Sequence, residues 1–80
     1  MTPSAEALRV RIGERIRQTM ERRQMSFTEL SQDSGVSRAH VYGIANGRTS
    51  ATTDTLAKLA DALQVDAVVF LRPIRKPPAE

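Results

Sequence analysis

The 80-residue sequence predicts a small all-α domain of four to five helices. Three observations lead to this prediction: apolar residues recur at helical spacings, polar capping residues precede these stretches, and Gly or Asn-Gly follows two of them. Apolar residues make up 40% of the chain and charged residues 26%, a composition that fits one aliphatic core. We therefore expect one domain over residues 5–72, with flexible termini at 1–4 and 73–80.

The first helix is predicted over about residues 5–23. Leu8, Ile12, Ile16 and Met20 recur four residues apart, while charged residues fill most of the positions between them. This pattern is typical of an amphipathic helix with one apolar stripe. For most of its arginines, a solvated helix face is the simplest interpretation.

The second helix is predicted over residues 27–34. Ser26 and Glu29 have the spacing of a capping box, in which each side chain accepts a hydrogen bond from the backbone N–H of the other residue. Gly35 then ends the helix, because the residue after a helix often adopts a positive φ that glycine tolerates best.

The third helix is predicted over residues 38–45, after the N-cap residue Ser37. Val41 and Ile44 form its apolar side, and Asn46-Gly47 ends it. Both of these last residues tolerate left-handed backbone conformations.

The fourth helix is predicted to begin after Thr52 and to end near residue 64. Leu56, Leu59 and Leu63 follow its apolar periodicity. The block at residues 66–72 is too short to assign by periodicity, and both a fifth helix and a strand remain open for it.

Composition excludes several classes of function. The chain has no cysteine, so it has no disulfide framework and no thiolate metal site, and it fits a cytoplasmic location. No apolar run approaches the 18 residues of a membrane span, and the N-terminus does not resemble a secretory signal. His40 is the only histidine and has no companion ligands, so we expect no metal and no cofactor. With no Gly-rich phosphate loop and no catalytic triad, the chain is not expected to be an enzyme.

Positive charge is concentrated in the first part of the chain. Residues 1–50 hold eight arginines and five acidic residues, a net +3, whereas residues 51–80 hold four basic and four acidic residues. An arginine-rich region fits a polyanionic partner such as nucleic acid, although a basic surface that only aids solubility explains it equally well.

Residues 27–47 have the plan of a helix-turn-helix, two short helices joined by the tight turn Gly35-Val36-Ser37. Residues 12–71 as a whole resemble the Cro/repressor-like helix-turn-helix family. Residues at compatible spacings carry this resemblance: Ile12, Ile16, Ser26-Phe27-Thr28-Glu29-Leu30, Gly35-Val36-Ser37, Val41, Ile44, Asn46-Gly47, Leu56, Leu59-Ala60 and Leu63. It implies a compact lambda-repressor-like DNA-binding domain with a central helix-turn-helix.

Two positions depart from the family pattern. Phe27 lies at the start of the second helix, where the family usually has a glutamine that contacts phosphate or a neighbouring side chain of the recognition helix. Phe27 cannot replace those hydrogen bonds, which puts one DNA contact in doubt. Ala45 replaces a common glutamate, and we expect only a local structural effect.

The resemblance implies that helix 38–45 enters the DNA major groove. At 100° per residue, Ala39, Tyr42 and Gly43 point away from the core and Arg38 flanks it, and these four residues form the predicted base-contact surface. Arg38 could bind guanine or only phosphate, and Tyr42 could contact a groove edge or pack against the following loop. Gly43 could allow close approach of DNA or of another helix. Predicted phosphate contacts are Thr28, Ser37, His40, Asn46, Arg48, Thr49 and Ser50. For His40 and for the polar turn that contains the last four, a solvated surface is the alternative.

One such module contacts only a short half-site, so a second subunit is expected. The apolar block near the C-terminus predicts a homodimer interface of Leu63, Val69, Phe70 and Leu71. The alternative is a monomer in which Phe70 folds back onto the core. The predicted function is sequence-specific binding of double-stranded DNA at a palindromic operator, as a transcriptional regulator of bacterial or phage type. The alternative is a protein-interaction module, such as an antitoxin or bridging factor, which Phe27 favours.

Overall fold

The computed structural model describes residues 2–73, which form four α-helices and a final 3₁₀ helix. The α-helices are α1 (Ala5–Arg23), α2 (Phe27–Ser34), α3 (Arg38–Ala45) and α4 (Thr53–Leu63), and the 3₁₀ helix covers Ala67–Leu71. The all-α prediction is confirmed. Met1 and residues 74–80, which contain most of the predicted C-terminal tail, lie outside the described residues.

The predicted capping residues begin the inner helices. Side-chain oxygens of Ser26, Ser37 and Thr52 accept hydrogen bonds from backbone N–H groups three residues later, and Ser26 with Glu29 completes the capping box. These bonds satisfy N–H groups that have no partner within the helix. They explain why local sequence signals placed the helix starts correctly.

The core lies where α1, α2, α3 and α4 meet. Its largest fully buried side chains come from all five elements: Ile16, Leu30, Val41, Ile44, Leu59, Leu63 and Phe70. The described helices include none long and apolar enough to cross a membrane.

The open assignment at residues 66–72 is resolved as a 3₁₀ helix capped by the Asp66 side chain. Phe70 is 0% exposed and Leu63 is 1% exposed, because both side chains fill the core between α1 and α4. The expectation that Leu63 and Phe70 lie in a dimer interface is therefore wrong, because neither side chain is exposed on the surface. Val68 and Leu71 instead remain 43% exposed, and Val69 is partly buried.

Three arginines of α1 bind backbone carbonyls of the C-terminal part. Arg11 Nη1 donates to the Leu71 carbonyl (3.2 Å), Arg15 Nε to the Arg72 carbonyl (2.9 Å), and Arg23 Nη2 to the Gln64 carbonyl (3.2 Å). Arg15 also donates to the Pro73 carbonyl. These guanidinium groups therefore have a structural role, unlike the solvated face expected for most α1 arginines.

Candidate nucleic-acid interface

The turn between α2 and α3 is fixed by its own hydrogen bonds. Gly35 has φ 75°, and its N–H donates to the Ser31 carbonyl at 2.9 Å. Ser31 Oγ donates to the Val36 carbonyl (2.6 Å), and the Val36 N–H donates to Ser34 Oγ (3.1 Å). With the Val36 side chain buried as well, the turn sets the direction in which α3 leaves α2.

The helix α3 has one buried and one exposed face. Val41, Ile44 and Ala45 are buried, and the opposite face borders a shallow, open concavity. Six residues line it: Arg38, Ala39, Tyr42, Gly43, Asn46 and Arg48. All four predicted base-contact residues therefore lie together, and two of the predicted phosphate contacts lie beside them.

The charge of this concavity is positive. Two of its six lining residues are arginines and none is acidic. Arg38 and Arg48 are both exposed, at the start of α3 and just after its end. Such a surface can bind a polyanion through charge-assisted hydrogen bonds.

The remaining predicted phosphate contacts lie outside the concavity lining. Thr28, Ser37, Thr49 and Ser50 are exposed, whereas His40 is partly buried. Ser37 Oγ already accepts the His40 N–H at 3.2 Å, which leaves its hydroxyl hydrogen free to donate.

Gly13 was not predicted as a site residue, yet it positions α3. A Cβ atom on Gly13 would lie 2.5 Å from the Ala45 carbonyl oxygen and 2.7 Å from that of Ile44. Only a glycine lets the backbone of α1 approach the end of α3 this closely. The available signal was a glycine inside an amphipathic helix, where it costs about 1 kcal/mol relative to alanine.

Gly43 makes room for the turn that follows α3. Its carbonyl accepts hydrogen bonds from the Arg48 N–H (3.0 Å) and the Thr49 N–H (3.3 Å). A Cβ atom on Gly43 would lie 2.6 Å from Thr49 Oγ1. The close neighbour of Gly43 within the protein is therefore this turn, and not another helix, which was one of the two alternatives left open by the sequence.

Tyr42 is half-exposed and stacks on Phe27. The two ring centroids are 5.1 Å apart and the ring planes differ by only 2°. Phe27, the first residue of α2, is partly buried and packs against the core. The ring of Tyr42 therefore packs against α2, and not against the loop after α3, which was the packing alternative from the sequence.

Glu29 stabilises the start of α2 without lying in the concavity. Hydrogen bonds from the backbone and the side chain of Ser26 hold the pKa of the Glu29 carboxyl below its ordinary value. The carboxylate therefore stays ionised to lower pH than an ordinary glutamate. It lies in the first turn of α2, where the helix dipole stabilises negative charge.

Two short helices joined by a fixed turn, the second presenting an arginine-flanked face, define a helix-turn-helix protein. The helix-turn-helix domain family matches residues 11–71, and the chain belongs to this family. Comparison with curated proteins gives no match.

Several solved structures share this fold. The restriction-modification controller protein C.AhdI from Aeromonas hydrophila is 27% identical, with a TM-score of 0.75, over 78% of this chain and 94% of that one. A hypothetical transcription factor, NHTF, from Neisseria is 26% identical, with a TM-score of 0.80, over 91% of this chain and 84% of that one. An HTH_3 family transcriptional regulator from Vibrio cholerae is 27% identical, with a TM-score of 0.80, over 84% of this chain but 38% of its own length.

Proposed function

We propose that this chain is a sequence-specific, double-stranded DNA-binding transcriptional regulator of bacterial or phage type, with α3 in the major groove. The observation that carries the proposal is the exposed face of α3, which borders a concavity with two arginines and no acidic residue. The similarity to a transcriptional regulator and to a restriction-modification controller supports the same function. A DNA ligand implies that the protein acts in the cytoplasm, at the nucleoid.

The position of each residue on α3 suggests its role. Arg38 and Ala39, in the first turn, face the groove, where Arg38 can bind guanine O6 and N7 and Ala39 can contact a thymine methyl group. Tyr42 lies one turn later on the same face. Asn46 and Arg48 follow the helix and suit phosphate contacts that position the protein without reading sequence.

DNA selection with two arginine variants tests this assignment. We expect Arg38→Ala to relax base preference at one position per half-site, at a cost of about 1–3 kcal/mol. Arg48→Ala should weaken binding to all DNA sequences similarly. It should also reduce the slope of log binding constant against log salt concentration by about one unit. If Arg38→Ala weakened binding to all sequences equally, Arg38 would be a phosphate contact and not a base contact. Failure of the wild type to bind any duplex at low salt would favour the protein-interaction module instead.

The same proposal includes a homodimer on a palindromic operator. Val68 and Leu71 are each 43% exposed on the short 3₁₀ helix, with Val69 partly buried between them. Apolar surface of this kind favours a partner, and a two-fold axis here would duplicate α3. The paired helices would then lie about 34 Å apart, one DNA turn.

Sedimentation equilibrium tests the dimer. We expect the wild type to dimerise and Leu71→Asp to shift the equilibrium to monomer. Val10→Asp is the matched control, because Val10 is 45% exposed but packs beside Gly47 at the end of α3. A concentration-independent monomer mass for the wild type, with a footprint over one half-site, would refute the dimer.

A further inference from the structure

We propose that Phe27 is a positioning residue for DNA recognition that acts through Tyr42, an inference that rests on the proposed function. Its side chain has no hydrogen-bonding group, so it cannot form a hydrogen bond to phosphate or to a base edge. Its aromatic ring lies parallel to the Tyr42 ring, with the two ring centroids 5.1 Å apart. This stack is the contact by which Phe27 would influence recognition through Tyr42.

Phe27 is itself held in place. It lies within the capping box formed by Ser26 and Glu29, in which the Glu29 N–H donates to Ser26 Oγ (3.1 Å) and the Ser26 N–H donates to Glu29 Oε1 (3.0 Å). Its ring also packs against the hydrophobic core. Phe27 is therefore a rigid support on α2.

Tyr42 needs such a support. It is 50% exposed on the face of α3 that borders the concavity, where a side chain without a neighbour would sample several rotamers. Stacking covers one ring face and leaves the rest of the ring for a ligand. A fixed aromatic side chain loses less conformational entropy on binding and tolerates fewer base pairs opposite it. The stack thus makes Tyr42 selective for one base pair in each half-site.

A double-mutant cycle tests this role. Phe27→Leu keeps an apolar side chain at the start of α2 but removes the stack, and Tyr42→Ala removes the residue on which Phe27 acts. The binding of each variant is measured on the duplex selected by the wild type and on duplexes changed at single positions. Met25→Leu is the matched control, because Met25 is also partly buried and packs against the same core.

We expect Phe27→Leu to reduce discrimination about 2- to 13-fold, the range for one aromatic pair, at the base pair whose preference also depends on Tyr42. Phe27→Leu should have no further effect in Tyr42→Ala. Phe27→Tyr, which keeps the ring, should retain discrimination. Urea unfolding of each variant separates these effects from loss of stability, and Met25→Leu should bind as the wild type does.

Three outcomes would overturn the inference. Unchanged discrimination in Phe27→Leu would refute the positioning role alone, with the proposed function intact. If Phe27→Leu reduced discrimination by the same factor in the wild type and in Tyr42→Ala, Phe27 would not act through Tyr42. A wild type that binds no duplex would refute the proposed function and this role with it.

Discussion

Replacing Gly13 with alanine tests how closely α1 supports α3. The added methyl group would meet the carbonyl oxygens of Ala45 and Ile44 at 2.5 and 2.7 Å, well inside van der Waals contact. Both atoms belong to the backbone, so no rotamer change can move them aside. The two helices must therefore separate.

The expected cost follows from two opposing effects. Adding a methylene-sized group to a packed site typically costs about 1–3 kcal/mol. Alanine in place of glycine in a helix interior stabilises the fold by about 1 kcal/mol, because alanine has the higher helix propensity. Because the obstacle is backbone, we expect a net loss of about 1–2 kcal/mol and, for a domain of this size, a fall in Tm of roughly 4–16 °C.

Gly43→Ala is the matched control for this prediction. Gly43 also lies inside a helix, but its added Cβ would lie closest to Thr49 Oγ1, an exposed side-chain atom that can rotate away. We expect its stability to be unchanged or slightly raised. Thermal unfolding followed by circular dichroism compares the two variants, and equal melting temperatures would refute the close approach at Gly13.

Three further predictions concern the scaffold. Leu59→Ala should cost about 2–5 kcal/mol in urea unfolding, because Leu59 is 0% exposed, and a cost under about 1 kcal/mol would contradict that burial. Gly35→Val should lower Tm purely through the backbone, since φ is 75° and nothing lies within 4 Å of the added Cβ; an unchanged Tm would contradict the left-handed turn. The capping interaction lowers the pKa of the Glu29 carboxyl in the folded protein. It should therefore stabilise the fold at pH values above the pKa of an unfolded-state glutamate, and this stabilisation should be lost as the pH falls through the lowered pKa. Glu29→Gln should flatten this acid-side dependence in unfolding measured against pH, and an unchanged dependence would exclude Glu29 as its source.

The helices were predictable because their signals are local. Capping residues such as Ser26 and Thr52 act on N–H groups three residues away, and the apolar spacing of α1 reports a single helix face. The outward face of α3 followed from the same periodicity. The ends of α1 and α4 were predicted near residues 23 and 64 as well. What the sequence did not predict is the left-handed conformation of the capping residues Gln24 and Gln64 (φ 55° and 59°), for which glutamine carries no preference.

The contacts that determine the core and the surface of α3 join different elements, and the sequence did not predict them. Phe70 is the fourth residue of a five-residue apolar run, and only the arrangement of α1 and α4 determines that it, and not Leu71, enters the core. The stack of Tyr42 on Phe27 likewise requires the angle between α2 and α3. Periodicity within one helix contains no information about such angles.

The eight residues of α3 are too few to form a stable helix alone, so its orientation must come from its neighbours. Three of these neighbours contact its outer turns: Gly13 of α1 at its end, Thr49 of the following turn at Gly43, and Phe27 of α2 at Tyr42. None of the three belongs to the predicted base-contact set. Because each one limits where α3 or its side chains can lie, a substitution at any of them can alter recognition while every predicted base-contact residue is kept. With α3 in the major groove as proposed, specificity would therefore depend on packing behind α3 as well as on the residues that face outward.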